Sequence, residues 1–422
     1  MYRISSVFRR FTFQAMVTLC LVVPSAFSQG YRSYPFIQND TNYIFIPGSK
    51  KPPLSHFYGK MDTLLLYGQG RVHILHLGGS HIQSDVYPQV VRIGLQNLQP
   101  GLFGGRGLIF PTAMTGSNNP RNFSVSWTGH WDKCRNTERN RNCNLGITGQ
   151  AVTTTDSLAT ISFRSFSGIP KGAHNRIRIY HFDALNAYSF NVLTEDPYLI
   201  NDIRYFPDAG YSEIILNTPV DTFTLEISRS TSANSVFELY GIELLLDGPG
   251  ITYSSLGVNG ASLPSFIRCN LLQEQISILN PDLIIISLGT NDGFTRDFNP
   301  DIYKRNYVSL ITIIRNACPE ADLLLTVPND VLIKKKRSNK NTSLQEEVIY
   351  QLASSYECGV WNFFRVMGGH NSVPSWYING LMQRDRVHFT VPGYQIKGEL
   401  MLEAFLKSYS IHLDEKAKQN QL

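Results

Sequence analysis

The stretch LHLGGSHIQSD, residues 75–85, decides how this chain is read. An apolar run stops at Gly78-Gly79, and Ser80 and His81 follow at the turn. Ser80 is either a cap, because the pattern from Asp85 onward is helical, or a nucleophile presented at the end of a strand. The choice depends on what the rest of the chain brings to the same place.

Two further runs behave like Ile74 to Leu77. Leu283 to Leu288 ends at Gly289, and Leu323 to Val327 ends at Pro328. Short, nearly continuous apolar runs suit strands buried on both faces of a parallel sheet. Helical patterns lie between them. One starts at Pro300, presents Ile302, Leu310, Ile313 and Ile314 on one face, and stops at Pro319. A second opens with Ser343-x-x-Glu346 as a capping box and ends at Gly359. A last helix is expected from Gly393 to Tyr409, with a tail over 413–422. Strands alternating with helices predict an α/β layered domain.

The middle of the chain follows another period. Thr222 to Ser228 alternates strictly, and Arg176 to Tyr180, Ser189 to Leu193 and Ser124 to Trp127 do so less regularly, with turn residues between. This predicts an antiparallel β-sandwich or jelly roll inserted over 115–247, dividing the α/β domain into 29–114 and 248–412. The length of 422 residues suits two such units.

Residues 1–28 read as an export signal: Arg3, Arg9 and Arg10 precede an apolar stretch from Ala15 to Val23, and Ala26-Phe27-Ser28 supplies the small cleavage residues. That stretch is shorter than a membrane helix, so a periplasmic or secreted protein without stable membrane insertion is expected. Losing the signal lowers the formal charge from +5 to +2, which gives no ground for a nucleic-acid partner. The one basic run, Lys334-Lys335-Lys336-Arg337 with Lys340, reads first as a solvated loop. An oxidising compartment permits a Cys134–Cys143 bridge, while Cys269, Cys318 and Cys358 suit small buried thiols. No metal-ligand spacing is present. His73 and His76 would point to opposite faces of a strand, so they do not form a metal site with His81. Phe103-Gly104-Gly105-Arg106-Gly107 lacks the ending of a phosphate loop and reads as a tight turn. No cofactor or metal is expected, and the oligomeric state is left open.

Four stretches carry chemistry together: Gly78-Gly79-Ser80-His81, Gly257-Val258-Asn259-Gly260-Ala261, Gly289-Thr290-Asn291-Asp292 and Asp385-Arg386-Val387-His388. The first and third follow predicted buried strands, which places them at the carboxyl edge where open α/β sheets bind ligands. Acyl transfer needs a nucleophile, a base, a group orienting the base, and donors for the oxyanion. Ser80, His388 and Asp385 are candidates for the first three roles. The backbone N–H groups of Ser80 and Gly260 and the side-chain amide of Asn291 are candidates for the oxyanion hole.

These blocks, in this order, resemble the SGNH, or GDSL-like, hydrolases. The resemblance implies a flavodoxin-like three-layer domain, Ser80, Asp385 and His388 as catalytic residues, and Ser80, Gly260 and Asn291 as the oxyanion hole. Ser80, His81 and Asp85, with Gly257 to Ala261, are most similar to a subgroup of exported peptidoglycan O-acetylesterases with an inserted carbohydrate-binding-like β-domain. The 180 residues between Ser80 and Gly260 leave room for that insertion.

The implied function is therefore an exported esterase acting on O-acetyl groups of peptidoglycan or another glycan. Two alternatives stand beside it: a lipid or thioester acylhydrolase on the same fold, and a glycan-binding protein that has lost catalysis, because Gly79 stands where the family has aspartate. Trp376 and Tyr377 near the last block, and Trp127, Trp131 and Tyr188 in the insert, are candidate sugar contacts beside their default role as core aromatics.

Overall fold

The computed structural model describes residues 34–140, 143–166, 173–183, 185–230 and 235–419. The proposed export signal lies outside them. A six-stranded sheet runs in the order Ile44–Phe45, Gly359–Trp361, Asp322–Thr326, Leu283–Ser287, Arg71–Gly78 and Gly250–Gly257. All neighbours are parallel except the first pair, which is antiparallel. Numbered along the chain, the five parallel strands lie in the order 2-1-3-4-5, the flavodoxin-like arrangement.

Both faces of this sheet are covered, as the apolar runs require. Leu75, Leu77, Ile284, Ile286, Leu323 and Leu325 pack into one core with the helices Leu272–Leu279, Pro300–Ala317 and Asn341–Tyr356. Ile74, Leu283, Ile285 and Leu324 point the other way, towards Ser55–Tyr67, Val86–Gln96 and Val391–Gln419. Successive strand residues thus serve opposite layers.

The middle of the chain forms two antiparallel sheets. One has four strands, Phe123–Thr128, Leu158–Ser165, Thr222–Arg229 and Tyr188–Leu193, and the other has seven, including His174–Asp183, Tyr211–Val220 and Phe237–Leu245. Phe163, Phe190 and Leu225 from the first meet Ile179, Ile214 and Leu239 from the second in one apolar core. Cys134 and Cys143 are disulfide-bonded, and the other three described cysteines are free and buried.

Three expectations need correction. Gly105–Ile109 is a strand pairing with Phe237–Leu245, not a tight turn, because Arg106 is drawn into a buried ion pair with Asp85. The helix expected to open at Ser343 starts at Asn341 without a side-chain cap, since the Ser343 hydroxyl bonds His370 Nε2 and Glu346 pairs with Arg365. It ends at Tyr356, and Gly359 starts the next strand. The last helix spans Val391–Gln419, so most of the stretch read as a tail is helical. Its extension is fixed by Asp62, which accepts from Tyr409 Oη at 2.7 Å and Lys416 Nζ at 2.6 Å and bonds His412 Nε2 at 3.1 Å.

Candidate active site

The strand order reverses beside Arg71–Gly78, so a crevice opens where its carboxyl end and that of Leu283–Ser287 diverge. Ser80 follows the first strand and Asn291 the second. Ser80 is the first residue of a four-residue helix, Ser80–Gln83, with Gly79 at the capping position. Its hydroxyl is hydrogen-bonded to His388 Nε2 at 2.7 Å, across 308 positions of sequence. Ser80 thus faces an imidazole.

His388 Nδ1 is hydrogen-bonded to Asp385 Oδ2 at 2.7 Å. Asp385 Oδ1 accepts the backbone N–H groups of Val387 at 2.9 Å and His388 at 3.0 Å, so the carboxylate folds its own segment into a tight turn. Burial pushes the Asp385 carboxyl up, but the bonds from the His388 ring and these two N–H groups outweigh it and leave it below its ordinary value. An ionised Asp385 places the Nδ1 proton on its own side and leaves Nε2 facing Ser80 as an acceptor.

The second block closes on the first. Val258 N–H donates to Gly78 O at 3.2 Å, and Asn259 N–H donates to Gln83 Oε1 at 2.7 Å. A Cβ on Gly257 would stand 2.2 Å from Gln83 N and 2.6 Å from Gly79 O, so only glycine allows this approach. Gly260 has φ +82°, a conformation that L side chains rarely adopt. The third block joins through Asn291 Nδ2, which donates to Ala261 O at 2.8 Å, and Asp292 Oδ1, which accepts Leu263 N–H at 3.0 Å. Asn291 Nδ2 carries two hydrogens, so one remains for a bound oxyanion. All four blocks therefore meet. Gly79, at φ −94°, lies beside this junction, and a Cβ there would stand 3.3 Å from Asn291 Nδ2.

Sequence reasoning named Asp85 but missed its partners. The carboxylate accepts from Arg92 Nη2 at 2.8 Å, from Arg106 Nη2 at 2.7 Å, and also from Asn122 and Ser255. Burial pushes it up, yet the charges of Arg106 and Arg92 and these bonds hold it down to about 2. The network ties the loop behind Ser80 to the inserted sheet. His81 was likewise named without its partners, and Lys397 was missed. His81 is buried, its Nδ1 bonded to Tyr394 Oη at 2.8 Å and its ring 5.1 Å from that of His388. Burial first, then Lys397 and His388, push His81 well below its ordinary value, so a neutral ring stands beside the one that must accept a proton. The place of His81 next to Ser80 marked it in the sequence; nothing local marked Lys397.

Trp376 corrects another expectation. It is fully buried among Phe36, Phe363 and Phe389, and its indole N–H donates to Met367 O at 2.9 Å, so it offers no face to a sugar. Tyr377 is half-buried, with one face under the Arg386 guanidinium. In the insert Tyr188 is buried, with its hydroxyl donating to Asp156 O and Ser235 O, and Trp131 packs on Phe237, while Trp127 is exposed. Phe294, three residues beyond Asn291, is 43% exposed and was not singled out from sequence.

The flavodoxin-like sheet thus carries a serine–histidine–aspartate hydrogen-bonded chain at its carboxyl edge. Residues 238–396 match the model of the GDSL-like Lipase/Acylhydrolase family, to which this part of the chain is similar. That match contains Gly260, Asn291, Asp385 and His388 and begins after Ser80, whose place rests on the structure. No curated protein matches the sequence. Among solved structures the chain is similar to a peptidoglycan O-acetylesterase at 19% identity and a TM-score of 0.68, covering 87% of this chain and 99% of that one, which shows a shared fold. A GDSL-like lipase from Bacteroides thetaiotaomicron VPI-5482 matches at 22% identity and a TM-score of 0.30, covering 37% of this chain and 76% of that one. A family two carbohydrate esterase from Cellvibrio japonicus matches at 10% identity and 0.29, covering 68% and 98%.

Proposed function

We propose that the chain is an exported serine esterase that removes O-acetyl groups from peptidoglycan or a related glycan. The observation that carries this reading is the unbroken chain Ser80 Oγ, His388 Nε2, His388 Nδ1, Asp385 Oδ2, with 2.7 Å at both hydrogen bonds. Ser80 Oγ attacks the acetyl carbonyl carbon while His388 Nε2 takes its proton. The oxyanion is held by Asn291 Nδ2 and the N–H groups of Ser80 and Gly260. The intermediate collapses as His388 returns that proton to the departing glycan oxygen, leaving acetyl-Ser80. Water then attacks the acetyl carbon, His388 again accepts and returns a proton, and acetate leaves with Ser80 restored.

The peptidoglycan substrate class is supported by the likeness of fold to a peptidoglycan O-acetylesterase over most of both chains. Export is supported by the Cys134–Cys143 disulfide together with the amino-terminal sequence. The intact chain through His388 favours catalysis over a binding-only role despite Gly79. Acetate release from O-acetylated peptidoglycan, set against p-nitrophenyl esters of increasing chain length, tests this reading. Selectivity for acetyl supports it, and a rate that rises with acyl length points to a lipid or thioester acylhydrolase instead.

A further inference from the structure

The basic run left unexplained by the sequence forms a hairpin. Leu332–Ile333 pairs with Arg337–Ser338, and Lys334, Lys335, Lys336 and Arg337 lie at its tip, all exposed. Lys334 and Lys335 adopt φ values of +51° and +60°, so the turn is tight. None of these four side chains, nor Lys340, has an ion pair among the described residues. Four uncompensated cations at one tip repel one another, and a free tip would spread them.

The base of the hairpin is fixed to the candidate active site on two sides. Leu332 N–H donates to Arg386 O at 3.1 Å, inside the block that carries Asp385 and His388. Asn339 Nδ2 and Asn341 Nδ2 each donate to Gly293 O at 2.9 Å, on the short helix that carries Asn291. Ser338 adds a half-buried anchor, its hydroxyl donating to the buried Asp330 carboxylate and bonded to His370 Nδ1 at 3.0 Å. The hairpin that carries the cations is thus tied at its base to the segment of the candidate base and to that of the candidate oxyanion donor. Arg296, Arg384 and Arg386 lie on the same loops; the acids there are Asp297, which is exposed, Asp292 and Asp385 in the site itself, and Asp330 under the hairpin.

We infer that this hairpin is a cationic rim selecting a carboxylate-bearing glycan as the polymer from which acetyl is removed. The inference rests on the esterase reading and narrows its substrate class. A flexible polyanion meets several ammonium and guanidinium groups at once, and each exposed contact contributes only a fraction of a tenfold step in affinity.

The test measures kcat/KM for acetate release from O-acetylated polygalacturonate and from the same polymer with its carboxylates amidated. The native protein is expected to prefer the charged polymer, and the preference is expected to fall about tenfold in a variant with Lys334→Gln, Lys335→Gln, Lys336→Gln and Arg337→Gln. Raising salt to about 0.5 M should lower the preference of the native protein in the same direction, a readout that needs no variant. Equal turnover of the two polymers, or a preference indifferent to both salt and the substitutions, overturns the inference. If neither polymer nor p-nitrophenyl acetate is hydrolysed, it is the esterase reading that fails. Affinity electrophoresis of the native protein then decides the rim: retardation by the charged polymer alone supports it, and equal or no retardation overturns it.

Discussion

Asp85 and Arg106 meet at 2.7 Å with side chains only 1% exposed, joining the turn behind Ser80 to a strand of the inserted sheet. Arg92 completes the pair from the following helix. Removing one partner from such a cluster strands buried charge, at a cost of about 3–5 kcal/mol. Asp85→Ala is therefore expected to lose stability of that order in urea unfolding at pH 7, with Ser80 turnover falling alongside. Because the Asp85 carboxyl is lowered from 3.8 to about 2, its contribution is in place above pH 4 and is lost as pH falls towards 2. The gap between native protein and variant should therefore narrow only below pH 4.

Asp385 sets the orientation of His388 through one bond to the ring and two to the backbone. Asp385→Asn leaves a similar shape but can donate to Nδ1, which favours the tautomer with its proton facing Ser80. Turnover should fall by about 10²–10⁴-fold with little change in KM. A loss confined to KM would contradict an orienting role.

Lys397 is buried, with Nζ 4.4 Å from the centre of the Phe363 ring, 4.7 Å from Tyr87 and 5.6 Å from Phe389. Burial pushes its ammonium down from 10.5 to about 7. Folding between pH 7 and 10.5 therefore requires it to release a proton, and that cost shrinks as pH rises. Lys397→Met is expected to raise Tm at pH 7, with the gain narrowing towards pH 10. A gain that widens with pH would contradict this.

Trp376 fills the core, so Trp376→Ala should cost about 3–5 kcal/mol of stability. Any loss of activity should be proportionate on glycan and on p-nitrophenyl acetate, because the indole touches no crevice. A loss confined to glycan would restore it as a sugar contact.

The parallel sheet was legible because its strands are buried on both faces and read as unbroken apolar runs, whereas half-exposed strands such as Thr222–Arg229 alternate. The convergence of Ser80, Asn291 and His388 was legible because the turns carrying Ser80 and Asn291 follow such runs. What stayed hidden depends on distant partners. The last helix continues past Tyr409 because Asp62, far away in sequence, binds His412 and Lys416. The glycine-rich segment at 103–107 carries a strand because Arg106 has Asp85 to meet, and Trp376 is core because Met367 O satisfies its indole. Composition cannot distinguish an aromatic whose N–H is satisfied inside from one that faces a sugar.

The most direct test of the central claim is acetate release by the native protein and by Ser80→Ala, from O-acetylated peptidoglycan and from p-nitrophenyl acetate, with Tm recorded for both. The account predicts release by the native protein and a loss of at least about 10³-fold in a variant that still folds. Equal rates from the two folded proteins, or no release by the native one, would contradict it.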